Sequence, residues 1–211
     1  MLKSNHVTET KKRIFLTGAT GFLGTALLSE LLRRGHTVTA LVRAQQGLSA
    51  GDRLKNRLLD YDPKFPWDQF SGPNLIAVEG DTTQSRFGMS KDLYDQYVAS
   101  TDVVIHNAAC TALETDWESL EAINIGGTRE AIEFASRTRE KSLVHVSSAY
   151  VAGERTGVVH EDELLMTEGF RNGYERSKAV AEKEVRDAGA SERIRFLLPL
   201  RRSIRCLLKL F

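Results

Sequence analysis

Three glycines stand three residues apart between a short apolar segment and a long amphipathic one. The stretch reads RIFLTGATGFLGTALLSELLRRG, from residue 13 to residue 35, and the glycines are Gly18, Gly21 and Gly24. RIFLT is typical of a buried strand, and the leucines that follow recur at helical spacing until Gly35. This succession of strand, glycine-rich turn and helix is the strongest constraint on the fold, because it is how a βαβ unit begins.

Strands and helices alternate along the rest of the chain. Further strands are predicted at 37–43, 74–80, 102–108 and 142–148, and helices at 90–98, 117–137 and 174–188. Residues 44–73 contain several prolines and glycines and are predicted to be mostly loop around a short helix near 52–60. The alternation predicts an α/β fold, a Rossmann-type doubly wound parallel sheet with helices on both faces. Such sheets bind ligands outside the carboxyl ends of their strands.

The composition of the chain limits the classes of protein that are to be expected. The chain of 211 residues suffices for one sizeable core, and its net charge of +1 gives no electrostatic reason to expect nucleic acid. Two cysteines and five histidines show no ligand spacing, so no metal is expected. Residues 1–12 are polar and are expected to be flexible, and no apolar run reaches the roughly 18 residues of a membrane span. A cytoplasmic location is the resulting expectation.

The glycine loop is predicted to hold an anion. Gly18 supplies a tight turn, Gly21 lets a ligand approach the backbone, and Gly24 lets the helix pack against the sheet. The first N–H groups of the helix have no internal partners and carry partial positive charge. A dinucleotide pyrophosphate would satisfy both features. The alternative is a glycine-rich turn that binds nothing.

The end of the second strand indicates which dinucleotide. NAD-binding versions of this unit usually carry an acidic residue there, which holds the ribose 2′-hydroxyl. This chain has Arg43 instead, and a guanidinium pairs with the 2′-phosphate of NADP. NADP(H) is therefore preferred over NAD(H), and the alternative is that Arg43 is only a solvated strand end.

Tyr174 and Lys178 lie four residues apart on a predicted helix, and hence on one face of it. An ammonium beside a phenol favours the phenolate, which suits the phenol for proton transfer. About 25 residues upstream a predicted strand ends in Ser147 and Ser148, and a hydroxyl there would hold a carbonyl oxygen beside the phenol. The alternative for either serine is an ordinary strand-end turn.

These motifs resemble a known family. TGATGFLG (17–24) and YERSK (174–178) are similar to the two signatures of the extended short-chain dehydrogenase/reductases. Within that superfamily the chain most resembles the thioester reductase, or male-sterility-type fatty acyl-CoA reductase, group. The similarity runs from about residue 13 to about residue 188 and includes LVRA (41–44), EGDTT (79–83), FGMS (87–90), VIHNAA (104–109), NIGGT (124–128), HVSSAYVAG (145–153) and NGYERSKAVAE (172–182).

The resemblance implies a cofactor site beyond the three glycines. It assigns the pyrophosphate to Thr20, Gly21, Phe22 and Leu23, the 2′-phosphate to Arg43, the adenine to Asp81 and Thr82, and the riboses to Asn107, Ala108 and Ala109. Asn124 would occupy a helix irregularity behind the site, and Lys178 would hold the nicotinamide ribose.

The resemblance also implies the reacting groups. Ser148, five residues before Gly153, matches the catalytic hydroxyl of the family better than Ser147 does. Ser148 and Tyr174 would bind the carbonyl oxygen, and Tyr174 would donate the proton while NADPH delivers hydride. His106 and His145 fall on predicted strands and are expected to be packed rather than catalytic.

The implied function is reduction of an acyl thioester, on CoA or a carrier protein, to an aldehyde or alcohol, by a protein that can form a homodimer. Two alternatives stay open. One is a member of the same superfamily that acts on a nucleotide sugar, a steroid or another ketone. The other is a dinucleotide-binding remnant without catalysis.

The pattern departs from the family after residue 196. LLPLRRSIRCLLKLF (197–211) replaces the expected Arg-Pro-Ser motif, and no complete substrate domain follows the dinucleotide-binding domain at 13–196. A truncated or frame-shifted end is the favoured interpretation, and a basic amphipathic tail that touches membrane is the alternative. On that interpretation, most of the residues that would select the acyl group are expected to be absent from these 211 residues.

Overall fold

The structure is a computed structural model, and it describes residues 10–45, 47–167 and 169–198. Six strands form one sheet in the order β3-β2-β1-β4-β5-β6, and every neighbouring pair is parallel. The strands are β1 (Arg13–Thr17), β2 (Thr37–Val42), β3 (Leu75–Glu79), β4 (Val103–His106), β5 (Ser142–His145) and β6 (Arg195–Leu197). The strand order reverses between β1 and β4, which is where sheets of this kind bind ligands.

Helices connect the strands. They are α1 (Phe22–Arg33), α2 (Ala50–Tyr61), α3 (Trp67–Phe70), α4 (Lys91–Ser100), α5 (Trp117–Leu120), α6 (Gly127–Arg137) and α7 (Gly173–Ala190). A π-turn at Glu121–Gly126 joins α5 to α6, and 3-10 turns occupy Ser85–Gly88 and Ala149–Ala152. Among the described helices, none is both long and apolar enough to cross a membrane.

Apolar cores lie on both faces of the sheet. On one face, leucines of α1 and α2 such as Leu27, Leu31 and Leu54 pack against alternate residues of the strands. On the other, Phe15 of β1 stacks on Phe134 of α6 with ring centroids 4.4 Å apart. The central strands β1, β4 and β5 are almost fully buried and read as continuous apolar runs, whereas the edge strands β3 and β6 are partly exposed. The predicted doubly wound α/β fold is confirmed.

Four predicted elements differ from the structure, and one of them is the strand predicted at 142–148, which ends at His145. The segment 44–73 holds a helix of twelve residues, α2, and the short α3, so it is less of a loop than its prolines and glycines indicate. The single helix predicted at 117–137 is interrupted by the π-turn. The strand predicted at 102–108 ends at His106, because the next residues leave the sheet.

The chain ends are described only in part. Residues 195–197 form β6, which pairs with β5 as a sixth strand. Of the predicted tail at 197–211, only Leu197 and Leu198 are described, and the truncated-end interpretation falls otherwise outside the described residues. The same holds for residues 1–9 of the segment that was expected to be flexible.

Candidate active site

A cleft of about 630 Å³ opens at the carboxyl ends of β1 to β5. Most residues predicted for the cofactor line it, namely Gly18, Thr20, Gly21, Phe22, Leu23, Arg43, Asp81, Thr82, Asn107, Ala108, Ala109, Tyr174 and Lys178. Three of the predicted site residues do not line it: Gly24 and Asn124, which were predicted for the cofactor, and Ser148, which was predicted to be catalytic. The fold thus gathers the glycine loop and the Tyr/Lys pair, far apart in sequence, around one space.

At two of the three glycines, Gly18 and Gly24, a Cβ would collide with other atoms of the protein. Gly18 has a φ of +71°, and a Cβ there would lie 2.6 Å from the Ala108 nitrogen. A Cβ on Gly24 would lie 1.9 Å from the carbonyl oxygen of Gly18, so α1 can begin only with glycine at this point. Gly24 therefore lets the start of α1 approach the residues that directly follow β1 and β4.

Gly21 is different, because the protein leaves room around it. A Cβ there would meet only the Gly18 carbonyl oxygen, at 3.4 Å, which is ordinary contact. Gly21 also lines the cleft and is the residue before α1, whose N-terminus has no side-chain cap. Gly21 and the first residues of α1 thus bring uncapped amides to the cleft, which is the arrangement that binds phosphate.

The end of β4 is fixed against the glycine loop. The Thr17 hydroxyl accepts hydrogen bonds from the backbone N–H groups of Asn107 (3.2 Å) and Ala108 (3.1 Å). The Asn107 side-chain amide donates to the Gly18 carbonyl oxygen at 3.1 Å. These bonds hold the segment that lines the cleft between β1 and β4.

The part of the cleft that the resemblance assigns to the 2′-phosphate is more basic than the sequence alone indicates. Arg53 and Arg57, one turn apart on α2, line the cleft together with Arg43, and the Arg53 guanidinium donates to the Arg43 carbonyl oxygen. Sequence reasoning missed both. Their spacing within a helix was visible, but the direction in which they point depends on Leu54 and Leu58 being buried against the sheet.

The adenine side is shaped by a tight turn after β3. The Asp81 carboxylate accepts from both the backbone N–H and the hydroxyl of Thr83, each at 2.9 Å. Thr82 is buried and packs against Gly127 at the start of α6. The turn therefore has its polar groups satisfied while it lines the cleft.

Tyr174 and Lys178 form the opposite wall, on the first turns of α7. Both are buried, at 8% and 3% exposure, and both line the cleft. The Lys178 ammonium donates to the Val146 carbonyl oxygen at 2.8 Å, which ties α7 to the end of β5. Burial lowers the pKa of Lys178 to about 8, against the opposing effect of the Glu182 carboxylate.

The two serines after β5 have different surroundings. The Ser148 oxygen accepts from the Tyr150 N–H at 3.2 Å and starts the 3-10 turn beside the cleft. Ser147 lines the cleft, but its hydroxyl donates to the Glu182 carboxylate at 2.5 Å. The Tyr150 ring meets the Tyr174 ring edge to face, with centroids 6.1 Å apart.

Asn124 lies behind the cleft, within the π-turn. Its side chain exchanges hydrogen bonds with the backbone of Cys110 at 2.7 and 3.0 Å and donates to the Ser177 hydroxyl at 2.8 Å. It is 2% exposed. The π-turn therefore aims a buried amide that joins the segment after β4 to α7, as such bulges often do near functional sites.

The predicted packing of His106 and His145 is confirmed. Both are 1% exposed, and their rings stack with centroids 5.5 Å apart. Burial, together with the nearby Lys178 charge, lowers the pKa of His106 to about 3 and that of His145 well below its usual value. Within the described ranges, no group of three or more His, Cys, Asp or Glu is placed to hold a metal ion.

Comparison with known proteins identifies the family to which the chain belongs. A family model described as Male sterility protein matches residues 16–199. The chain is 32% identical over 205 residues to the L-2-aminoadipate reductase large subunit of Penicillium chrysogenum, covering 89% of this chain and 14% of that protein.

Two solved structures are also similar. The terminal R domain from the myxalamid PKS-NRPS biosynthetic pathway has 36% identity and a TM-score of 0.80, over 92% of this chain and 50% of that one. A thiolation-reductase di-domain from an archaeal non-ribosomal peptide synthetase has 25% identity and a TM-score of 0.78, over 90% of this chain and 51% of that one. The chain thus spans about half the length of these structures.

Proposed function

Since the chain belongs to the male sterility protein family, we propose that it binds NADPH and uses it to reduce an acyl thioester. The observation that carries the proposal is the placement of Tyr174 and Lys178 across one cleft from the uncapped start of α1. A hydride donor and a proton donor must meet at one carbonyl group, and this cleft is the place where both would lie.

The residues present fit a dinucleotide. The open space beside Gly21 and the free amides at the start of α1 suit a pyrophosphate. Arg43, Arg53 and Arg57 supply three positive charges on the side expected for the adenine ribose, and this favours NADP(H) over NAD(H). When bound, the nicotinamide supplies a hydride to the substrate carbonyl carbon.

The chain's own groups would act on the carbonyl oxygen. Negative charge develops on that oxygen as the carbon is reduced, and Ser148 and Tyr174 would stabilise it by hydrogen bonding. Tyr174 would then give up its phenolic proton, and the Lys178 ammonium one turn away stabilises the phenolate that remains. The hemithioacetal formed from a thioester would expel its thiol and leave an aldehyde.

A carrier-bound acyl group is the proposed substrate, with acyl-CoA as the related alternative. The support is the similarity of the chain to a thiolation-reductase di-domain and to an L-2-aminoadipate reductase. The cytoplasm is the proposed location, in keeping with the free thiol of Cys110, which is partly exposed.

A panel assay tests the proposal. The purified chain is mixed with NADPH and, in turn, with acyl-CoA thioesters, the same acyl groups on a phosphopantetheinylated carrier, the free acids, and a nucleotide sugar. We expect NADPH oxidation only with the thioesters, with an aldehyde or alcohol and a free thiol as products in mass spectrometry.

The other outcomes separate the alternatives. Turnover of the nucleotide sugar alone would assign the chain to a different branch of the superfamily. A rise in melting temperature with NADPH, without consumption of any substrate, would point to a dinucleotide-binding remnant.

A further inference from the structure

One face of α7 carries four polar residues at successive turns: Tyr174, Lys178, Glu182 and Arg186. The first two belong to the proposed chemistry. Glu182 does not, yet its side chain is fully buried, at 0% exposure. A buried carboxylate is costly unless it is paired and hydrogen-bonded, so its partners indicate what it is for.

Both carboxylate oxygens of Glu182 are engaged. Oε2 accepts from the Ser147 hydroxyl at 2.5 Å. Oε1 accepts from Nε and Nη2 of Arg186, at 2.9 and 2.7 Å. Glu182 therefore joins α7 to the residue that directly precedes Ser148.

Arg186 extends this connection to the loop that precedes α7. Its guanidinium donates to the carbonyl oxygens of Asp162 (3.0 Å) and Glu161 (3.1 Å). The end of β5, the helix α7 and the loop before that helix are thus held through one carboxylate.

We propose that Glu182 is a positioning residue that occupies the Ser147 hydroxyl and balances the charge of the Lys178 ammonium. This leaves Ser148 and Tyr174 to act on the carbonyl oxygen. The inference deepens the proposed function and rests on it.

The occupied Ser147 hydroxyl explains how two adjacent serines are told apart. A hydroxyl has one proton to donate, and Ser147 donates it to Glu182. The Ser148 oxygen accepts from the Tyr150 N–H, so its proton stays available for a carbonyl oxygen. The family resemblance favours Ser148 by spacing, and Glu182 supplies a physical reason for the same choice.

The charge balance follows from what surrounds Lys178. His106 and His145 face it from β4 and β5, and burial keeps both neutral at pH 7. The Val146 carbonyl oxygen is its hydrogen-bond acceptor. Three charged groups share its helix face. Glu182 is negative and one turn after it, and Arg186 is positive and two turns after it. Glu175 is buried three residues before it, but this carboxylate is paired with Arg171. Glu182 is accordingly the group that raises the pKa of Lys178 against burial.

The test compares Glu182→Gln with Glu184→Gln, a matched change on the same helix. Glu184 is partly exposed and pairs with Arg129 instead. Lysine labelled with ¹³C reports the ionisation of Lys178, assigned by its absence in Lys178→Arg. We expect the titration midpoint of Lys178 to fall by about one pH unit in Glu182→Gln and to stay unchanged in Glu184→Gln. An unchanged midpoint in folded Glu182→Gln overturns the inference.

The serines provide a second arm that leaves the Glu182–Arg186 pair intact. With acyl thioester and saturating NADPH, Ser148→Ala should lower kcat about 100-fold, and Ser147→Ala should lower it by about tenfold or less, because it removes a contact of Glu182 but no group that acts on the carbonyl oxygen. Equal losses in the two variants overturn the assignment of the serines. If the wild-type chain reduces no thioester, the proposed function fails, and the titration of Lys178 still decides the inference.

Discussion

The two walls of the cleft differ in the kinds of contact that fix their shape. The glycine-loop wall, at the start of α1, meets the cleft mainly with backbone, and its shape follows from where a Cβ would clash. The reacting wall, at the end of β5 and the start of α7, meets the cleft with side chains whose positions depend on buried polar contacts. The first wall suits a rigid, charged ligand, and the second suits a group whose charge changes during reaction.

The comparison also separates local from distant causes. The hydrogen bond between Gly21 N–H and the Gly18 carbonyl joins residues three apart, at 3.1 Å. The bond between Ser147 and Glu182 joins residues 35 apart, and the one between Asn124 and Ser177 joins residues 53 apart. The glycine loop also has a distant contact, since the Asn107 side chain donates to the Gly18 carbonyl oxygen across 89 residues. A change in the first wall should act on binding, because that wall would hold the cofactor, and a change in the second should act on the rate, because that wall would hold the reacting groups.

The largest effect is expected from Tyr174→Phe. Without the phenolic proton, kcat with an acyl thioester should fall roughly 10²–10⁴-fold, while the Kd of NADPH changes little. Steady-state kinetics and a fluorescence titration measure the two. Tyr150→Phe, which changes the neighbouring phenol, is the control and should keep kcat within about threefold. A normal kcat in Tyr174→Phe would show that Tyr174 is not the proton donor.

The glycines of the other wall should divide into two classes. Gly24→Ala places a Cβ against the Gly18 carbonyl oxygen, so it should cost about 1–3 kcal/mol of unfolding free energy and weaken NADPH binding as well. Gly21→Ala should leave stability within about 1 kcal/mol, because the protein has room there, and should weaken NADPH binding alone. Urea denaturation and NADPH titration on both variants test this division, and normal NADPH binding by Gly21→Ala would contradict it.

Acid should loosen the reacting wall. Burial holds the pKa of His106 and His145 below the usual 6.5, so the unfolded chain binds protons more readily below that pH. The stability that depends on neutral histidines is complete above about pH 6.5 and is lost as the pH falls, by about 1.4 kcal/mol per pH unit for each histidine. His145→Leu should flatten this slope in urea titrations between pH 6.5 and 5.5. An unchanged slope would show that His145 titrates normally in the folded chain.

The smallest effect is expected at the 2′-phosphate side. Arg43→Met should reduce the preference for NADPH over NADH about tenfold, through weaker NADPH binding with NADH binding unchanged. Arg33→Met is a control, since Arg33 pairs with Asp62 away from the cleft. Equal loss of both cofactors would place Arg43 elsewhere on the dinucleotide.

Much of the fold and the three glycines of the loop were predictable, because strands, helices and the glycine turn have signals in short stretches of sequence. The contacts of the loop with Asn107 and Ala108 were not predictable in this way, because those residues are about 90 positions away. The order of apolar segments predicted five of the six paired strands, and the motifs predicted the family, which is confirmed. Arg53, Arg57 and Glu182 were not recognised, since their roles depend on which helix face is buried. The signal for Glu182 was present, as it lies one turn after Lys178, but an i,i+4 pair of opposite charge usually faces solvent.

The central claim is that a dinucleotide lies between these two walls. A crystal structure of the chain with NADP⁺ tests it directly. We predict pyrophosphate oxygens within hydrogen-bond distance of the Phe22 and Leu23 amides, and the nicotinamide ribose beside Lys178. A dinucleotide bound anywhere else, or a nicotinamide turned away from Tyr174, would contradict the account.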